Sequence, residues 1–291
     1  MRERLVNGIR KLVNHPVESR YADTAADKAA QLTLSSLWRE QALRCPEALP
    51  KVEDAHLRAF SQNFEDGALL LIFAIIGTTN RTVVEMCAGN GLECNTTNLI
   101  VNHGWSGLLV DGNADNVATG TAFFARHPDT WAHPPTFRHT WLTRENANEV
   151  VRSAGISGPI DLFSLDLDGI DYWLWEALDV IDPRVVVVEY NDIAGPDRAI
   201  TVPYAADFAG EPLADWFVGA SLSAFVKLAR RKGYRLVGTE RWGFNAFFVK
   251  DGIAEDLLPE RDVQEFFDGP KVQHGMSVRW PRVADRPWVE V

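Results

Sequence analysis

The sequence predicts a doubly wound α/β domain with a seven-stranded, mainly parallel sheet that ends in an antiparallel hairpin. Two observations lead to this prediction. Between residues 64 and 189, short apolar segments alternate with segments of helical periodicity, which is the pattern of right-handed βαβ units. After residue 233, two more strand-like segments are joined only by 239–244. That connection is too short for a helical crossover, so the last two strands are expected to pair antiparallel.

The composition is that of a globular protein. The chain has 291 residues, of which 46% are hydrophobic and 24% charged, and this balance argues against an intrinsically disordered chain. Its net charge of −11 disfavours nucleic acid and anionic membranes as main partners, because both are bound through basic surfaces. The longest apolar run, 68–76, is too short to span a bilayer. With no apolar signal core at 1–13 and no CxxC pair, the protein is expected to be cytoplasmic.

Residues 1–58 are expected to form a helical extension ahead of the domain. Leu5, Ile9 and Leu12 lie near one face of a first helix. A second helix is expected to end at Pro46. The extension contains no residue pattern typical of catalysis, so we expect it to pack on the domain or to pair two copies in a homodimer.

The domain itself is assigned to residues 59–291. A helix with an apolar face is expected before the first strand, and another, closed by Gly233, before the hairpin. The run 185–188 is apolar on both faces, which is typical of a central strand covered by helices on both sides. The proline-containing residues after 250 are expected to be irregular and to wrap the domain. The strands are predicted at 82–85, 107–111, 136–139, 160–166, 184–189, 234–238 and 245–249.

The first chemical signal is a glycine turn between a strand and a helix. Glu85 ends the strand, and Gly89 and Gly91 let the backbone approach a ligand where the next helix presents free N–H groups. The following strand ends at Asp111, about 20 residues on, where a carboxylate would meet a ribose diol. A dinucleotide is disfavoured, because Cys94 stands where a third glycine would open the helix. The combination favours another nucleoside-containing ligand.

The stretch Glu85-Met-Cys-Ala-Gly-Asn-Gly91 resembles the first motif of S-adenosylmethionine-dependent methyltransferases. Together with 61–66, 164–171 and 245–248, it resembles the FkbM-type members over roughly residues 60–250. The resemblance implies a Rossmann-like methyltransferase fold, S-adenosylmethionine as cofactor, and methylation of a hydroxyl on a small molecule such as a sugar or natural product. Cys87 departs from the motif, because it adds a β-carbon where the family has glycine. The implied cofactor-binding residues are Glu85, Cys87, Ala88, Gly89, Gly91, Asn95, Thr96, Asp111, Gly112, Asn113 and Asp166.

Acidic residues follow two consecutive strands. Asp166 and Asp168 come after the fourth strand, and Glu189 and Asn191 come after the fifth, so they are expected to converge at the carboxyl edge of the sheet. Such carboxylates repel one another unless a proton or a cation is present. One hypothesis is a Mg²⁺ site made of Asp166, Glu189 and Asn191, as in some O-methyltransferases. The alternative is that they cap the next helix and bind the ligand without metal. Asp166 and Asp168 are the catalytic candidates, with Asp168 as an alternative general base.

The residues beside this acidic stretch are candidates for substrate contacts. Aromatic and polar side chains next to the carboxylates, or in the long segment after the fifth strand, can form a wall for an apolar or sugar substrate. The candidates are Asp171, Tyr172, Trp173, Tyr204 and Asp207.

Two other functions remain open. The stretch Asp166-Leu-Asp168-Gly169 also matches the start of a haloacid-dehalogenase motif, in which the first aspartate is a nucleophile. That match would indicate an aspartate-based, metal-dependent phosphatase or hydrolase. The third hypothesis is a non-catalytic protein that keeps the fold and binds the cofactor, and Cys87 is the residue that suggests it.

Overall fold

A computed structural model describes residues 25–208 and 216–291. The predicted helix around Leu5, Ile9 and Leu12 lies outside the described residues. The helices are α1 (Ala25–Arg44), α2 (Glu65–Ile76), α3 (Thr97–His103), α4 (Ala114–Arg126), α5 (Ala147–Arg152), α6 (Asp171–Ala177), α7 (Leu222–Lys232), α8 (Pro270–His274) and α9 (Trp280–Val283). The strands are β1 (Thr82–Met86), β2 (Ser106–Asp111), β3 (Thr136–His139), β4 (Gly158–Leu165), β5 (Ile181–Glu189), β6 (Ile200–Thr201), β7 (Tyr234–Thr239), β8 (Asn245–Lys250) and β9 (Val289–Glu290).

Seven strands form one sheet in the order β3-β2-β1-β4-β5-β8-β7. The pairs among β1 to β5 are parallel, and β8 pairs antiparallel with both β5 and β7. The predicted fold class, a doubly wound, mainly parallel seven-stranded sheet with a terminal antiparallel hairpin, is therefore confirmed. A second sheet of two residues per strand joins β6 to β9, and the sequence analysis did not predict it.

The sheet separates two hydrophobic layers. Val186 and Val188 of β5 enter one layer, and Val185 and Val187 enter the other. All four side chains are fully buried, because helices cover both faces of the sheet. The strand predicted to be central is thus covered on both sides, as expected.

Helix α1 packs on α2. Trp38 is buried against Leu71 and Ala74 of α2, while other leucines of α1, among them Leu37 and Leu43, stay exposed. The domain therefore covers only one side of α1. In the described part of the chain, no helix is both long enough and apolar enough to cross a bilayer.

A buried carboxylate, Asp66, fixes the loop in front of α2. Its Oδ2 atom accepts hydrogen bonds from the N–H groups of Ala59, Phe60 and Ser61 at 2.7, 2.7 and 2.8 Å. The Ser61 hydroxyl donates a further bond at 2.9 Å. Burial nevertheless raises the pKa of Asp66 to about 6, although each of these bonds lowers it. The loop before α2 is thus held by a single acid.

We expect Asp66 to make folding stability depend on pH. An unfolded aspartate titrates at about 3.9, so the native state holds this proton more tightly than the unfolded chain does. The stability that the group contributes is complete below about pH 4 and is lost as the pH rises through about 6. This difference of about two pKa units corresponds to about 3 kcal/mol. Urea denaturation at several pH values measures it.

The matched variant for this experiment is Asp66→Asn, which keeps an acceptor for the loop and does not titrate. Between pH 4 and 7 the unfolding free energy of the native protein should fall relative to that of the variant. Parallel pH profiles for the two proteins would contradict the assignment.

Candidate active site

Hydrogen bonds to the Glu85 carboxylate anchor the glycine turn that follows β1. One carboxylate oxygen accepts hydrogen bonds from Asn95 N at 2.9 Å and Ser164 Oγ at 3.3 Å. The other accepts from Thr96 N at 3.1 Å and from the Thr96 hydroxyl. Glu85, Asn95 and Thr96 are all buried. Their hydrogen bonds fix the turn and the start of α3, and their contact with a cofactor stays a prediction.

The turn itself is open towards solvent at Gly89. Gly89 and Gly91 have φ angles of +55° and +72°, which favour glycine. A β-carbon on Gly91 would meet the rings of Phe124 and Phe137 at 3.0 Å, whereas one on Gly89 would meet nothing within 4 Å. Among the described residues, the N–H group of Gly89 has no acceptor. The turn therefore offers space and a donor to a ligand.

Cys87 and Ala88 begin this turn. Ala88 is buried and donates from its N–H to the Val110 carbonyl at 3.0 Å, which ties the turn to β2. Cys87 has a φ angle of +65°, a strained conformation for any residue with a β-carbon. Burial, with the nearby carboxylates of Asp171 and Asp111, raises the pKa of the Cys87 thiol well above its usual range. A raised pKa favours the thiol over the nucleophilic thiolate.

We expect Cys87→Gly to be more stable than Cys87→Ala by about 1 kcal/mol, because glycine removes the left-handed strain that alanine retains. Neither variant has the thiol, so the comparison isolates the backbone. Thermal and urea denaturation of both proteins measure the difference. Equal stability would show that position 87 is not strained in solution.

Asp111 lies at the end of β2 with one oxygen held and one left for a ligand. Its Oδ1 atom accepts from Asn113 N at 2.8 Å and from Asn116 Nδ2 at 3.1 Å. No hydrogen bond from the described residues reaches Oδ2. Asn113 caps α4, since its side-chain oxygen accepts from two backbone N–H groups of the first turn. The carboxylate is thus fixed in direction and can still accept a further donor.

An exposed indole, Trp141, stands beside this carboxylate. A β-carbon on Gly112 would lie 3.2 Å from the Trp141 ring. The ring is 52% exposed, and its Nε1 donates to the Ala206 carbonyl at 2.8 Å. Gly112 therefore leaves room for a flat aromatic surface next to Asp111, on which a planar group can stack.

Three carboxylates meet where β4 and β5 end. One oxygen each from Asp166, Asp168 and Glu189 lies within 4.8 Å of the others. Burial, together with repulsion from Asp168 and Asp171, raises the pKa of Asp166 to about 7. Burial also raises the pKa of Glu189 well above its usual range and raises that of Asp168. A group that titrates near neutral pH suits a general base. We refer to Asp166, Asp168 and Glu189 as the carboxylate cluster.

The structure corrects two predicted members of this edge. The Asn191 amide donates to the carbonyls of Trp216 and Val218 at 3.0 Å, and its oxygen caps the short helix that follows. The side chain of Asn191 is therefore engaged with the backbone, and the acid that lies with Asp166 and Glu189 is Asp168. Asp171 is buried and accepts from Leu167 N and Gly169 N at 2.6 and 2.9 Å. It fixes the acidic loop and is not free to contact a substrate.

The other predicted substrate residues differ in exposure: one lies in the core, and the rest are partly or fully exposed. Tyr172 is fully buried, and its hydroxyl accepts from Arg231, so its assignment to a substrate wall is corrected. Trp173 is half-buried and donates from Nε1 to the Val202 carbonyl at 2.8 Å. Tyr204 donates to Glu145, and Asp207 is exposed.

Three residues near the site were missed by the sequence analysis. Trp141 follows the carboxyl end of β3, and this position could have identified it. Phe208 lies 2.6 Å from where a β-carbon of Gly169 would be, so it covers the acidic loop. Asn245 begins β8, and the first residue of an antiparallel strand lies at the edge where its parallel neighbours end. No local sequence signal indicates the contact of Phe208.

Comparison with known proteins gives similarity to solved methyltransferase structures at low TM-scores. No protein-family model matches the chain, and no curated protein matches its sequence. An O-methyltransferase from Bacillus cereus in complex with SAH gives a TM-score of 0.42 at 15% identity, covering 73% of this chain and 90% of that one. The magnesium protoporphyrin IX methyltransferase ChlM from Synechocystis PCC 6803, with bound SAM, gives 0.40 at 13% identity, covering 79% and 99%.

The carbon methyltransferase CurJ gives a TM-score of 0.41 at 11% identity, covering 65% of this chain. The chain spans 55% of the CurJ chain, which is less than two thirds of its length.

Proposed function

We propose that this protein is an S-adenosylmethionine-dependent methyltransferase that methylates a hydroxyl group of a small molecule. One observation carries the proposal: an open glycine turn and an oriented Asp111 carboxylate lie at the same sheet edge as the carboxylate cluster. The first two features suit a nucleoside-containing cofactor. The third suits removal of a proton from an acceptor.

The residues of the turn fit the cofactor in two places. The free N–H of Gly89 can donate to a carboxylate, because nothing of the described chain fills the space beside it. Asp111 Oδ2 can accept from the hydroxyls of a ribose, since its partner oxygen already holds the loop. The exposed ring of Trp141 offers a stacking surface for a base beside Asp111.

The chemistry that the chain itself supplies is positioning and proton removal. S-adenosylmethionine carries a methyl group on a sulfonium, and this group is electrophilic. Asp166 or Asp168 would take the proton of an acceptor hydroxyl, because burial raises the pKa of both groups, and burial together with repulsion from neighbouring carboxylates raises that of Asp166 to about 7. Holding the methyl group and the acceptor oxygen in line contributes the remainder of the rate enhancement.

Calorimetric titration with S-adenosylmethionine and S-adenosylhomocysteine tests the cofactor. We expect micromolar dissociation constants for both, and weaker binding of NAD as the control nucleotide. Transfer of a labelled methyl group to a panel of hydroxylated sugars then tests the reaction.

Three results would contradict the proposal in different ways. The absence of cofactor binding, with release of phosphate from phosphoesters, would favour the aspartate-based hydrolase. Cofactor binding without transfer to any acceptor of the panel would favour the non-catalytic binding protein. Transfer to an amine in place of a hydroxyl would keep the cofactor and overturn O-methylation.

A further inference from the structure

We propose that Asp166, Asp168, Glu189 and the amide oxygen of Asn245 bind a divalent cation that prefers oxygen ligands, with Mg²⁺ and Mn²⁺ as the chemical class. This ligand set differs from the one expected from sequence, because Asn191 is absent from it and Asn245 comes from β8, the neighbour of β5 in the sheet. The proposal concerns the same edge as the proposed function, and with a cation bound these carboxylates would act as its ligands in place of the general-base role described above. Cation binding is measured without cofactor or acceptor.

The carboxylate cluster has no internal counter-charge. In the ranges 25–208 and 216–291, neither Asp166, Asp168 nor Glu189 forms an ion pair with lysine, arginine or histidine. The nearest acid after β5, Asp192, does pair with Lys271, at 3.1 Å. Three carboxylates within 4.8 Å of one another require a proton or a cation between them.

An independent feature of the same edge is a buried oxygen with no partner. Asn245 is 5% exposed, and its Oδ1 atom makes no hydrogen bond. Asn245 pairs with Glu189 in the β5–β8 register, so the two side chains share one face of the sheet, with β-carbons about 5 Å apart. An unpaired buried amide oxygen is costly unless a ligand satisfies it.

Glu65 determines which way the Asn245 amide faces. Asn245 Nδ2 donates to Glu65 Oε1 at 2.9 Å, and Asn63 N fixes the other oxygen of Glu65 at 2.9 Å. A carboxylate only accepts hydrogen bonds, so the amide nitrogen must face Glu65 and the oxygen must point away from it. Glu65 is therefore a positioning residue for the proposed ligand.

The donor set selects the class of cation. Three carboxylates and one amide oxygen are hard ligands, which suit Mg²⁺, Mn²⁺ or Ca²⁺. Zinc prefers histidine and thiolate, and the described cluster contains no histidine.

Titration of the whole protein with Mn²⁺, followed by electron paramagnetic resonance, tests the site. We expect one Mn²⁺ per chain with a micromolar dissociation constant, and displacement by Mg²⁺. Asp168→Asn and Asn245→Ala should each weaken binding at least tenfold. The control Asp256→Asn removes an exposed carboxylate away from the cluster and should bind as the native protein does.

A second variant guards against loss of folding. Asn245→Asp places a charged oxygen in the same position and should tighten Mn²⁺ binding, an outcome that unfolding cannot produce. The absence of stoichiometric Mn²⁺ binding overturns the proposal, and native-like binding by Asn245→Ala overturns the role of Asn245. A protein that binds S-adenosylmethionine without Mn²⁺ refutes this site alone, whereas the reverse result refutes the proposed cofactor alone.

Discussion

Replacing Asp166 by asparagine is expected to lower the rate of methyl transfer by 10²- to 10⁴-fold, while the dissociation constant of S-adenosylmethionine changes by less than about threefold. The amide has nearly the shape of the carboxylate but cannot take a proton. The substitution also removes one negative charge from a cluster in which one oxygen of each carboxylate lies within 4.8 Å of the others. Single-turnover kinetics and calorimetry on the same preparation measure the two quantities.

Thermal unfolding separates a catalytic role of Asp166 from a structural one. Burial raises the pKa of Asp166, and repulsion from Asp168 and Asp171 raises it further. Because Asp166→Asn relieves this repulsion, the variant should keep or raise the melting temperature. Asp268→Asn, an exposed carboxylate outside the cluster, is the matched control. Full activity of Asp166→Asn would remove this residue from catalysis, and a lower melting temperature would indicate a structural role.

The second large effect is expected at the cofactor. Asp111→Ala should weaken S-adenosylmethionine binding by about 100-fold, which corresponds to about 2.7 kcal/mol. Hydrogen bonds to a charged group contribute about 1.5–3 kcal/mol each, and Asp111 Oδ2 is available for the ribose hydroxyls. Calorimetric titration of the variant measures the loss.

Two controls make the Asp111 result specific. Asp115→Ala removes an exposed carboxylate from the first turn of α4, so it tests for a general effect of charge near the site. Asp111→Asn keeps the acceptor for Asn113 N and should bind more tightly than Asp111→Ala. If both Asp111 variants bound the cofactor like the native protein, Asp111 would have no contact with the ribose.

The sheet could be predicted from sequence because its signals are local. The apolar run of β5 and the short connection between β7 and β8 each determine a pairing without knowledge of distant residues. The β6–β9 pair could not be predicted, because two residues per strand leave no periodicity. The proline-rich end, expected to be irregular, contains α8, α9 and a π-helical turn (Gly275–Arg279) between them.

Positions at the sheet edge were predictable, but the direction of each side chain was not. Glu85 ends a strand, as a ligand-binding acid would, yet its oxygens are used by the N–H groups of Asn95 and Thr96. Asn191 and Asp171 are likewise used by backbone groups: Asn191 donates to the Trp216 carbonyl, and Asp171 accepts from the N–H group of Leu167. The sequence indicates that an acid lies at the sheet edge. Whether its oxygens accept hydrogen bonds from the backbone or from a ligand depends on the three-dimensional arrangement of the loops.

The hydrogen bond between Asn245 and Glu65 joins residues 180 positions apart, and β8 lies between β5 and β7. At a synthesis rate of 5–20 residues per second, Glu65 leaves the ribosome on the order of ten seconds or more before Asn245 does. The nascent chain therefore carries five parallel strands with an unpaired β5 edge until the hairpin inserts. The proposed cation site is completed last, so a chain truncated before residue 245 would expose that edge to aggregation.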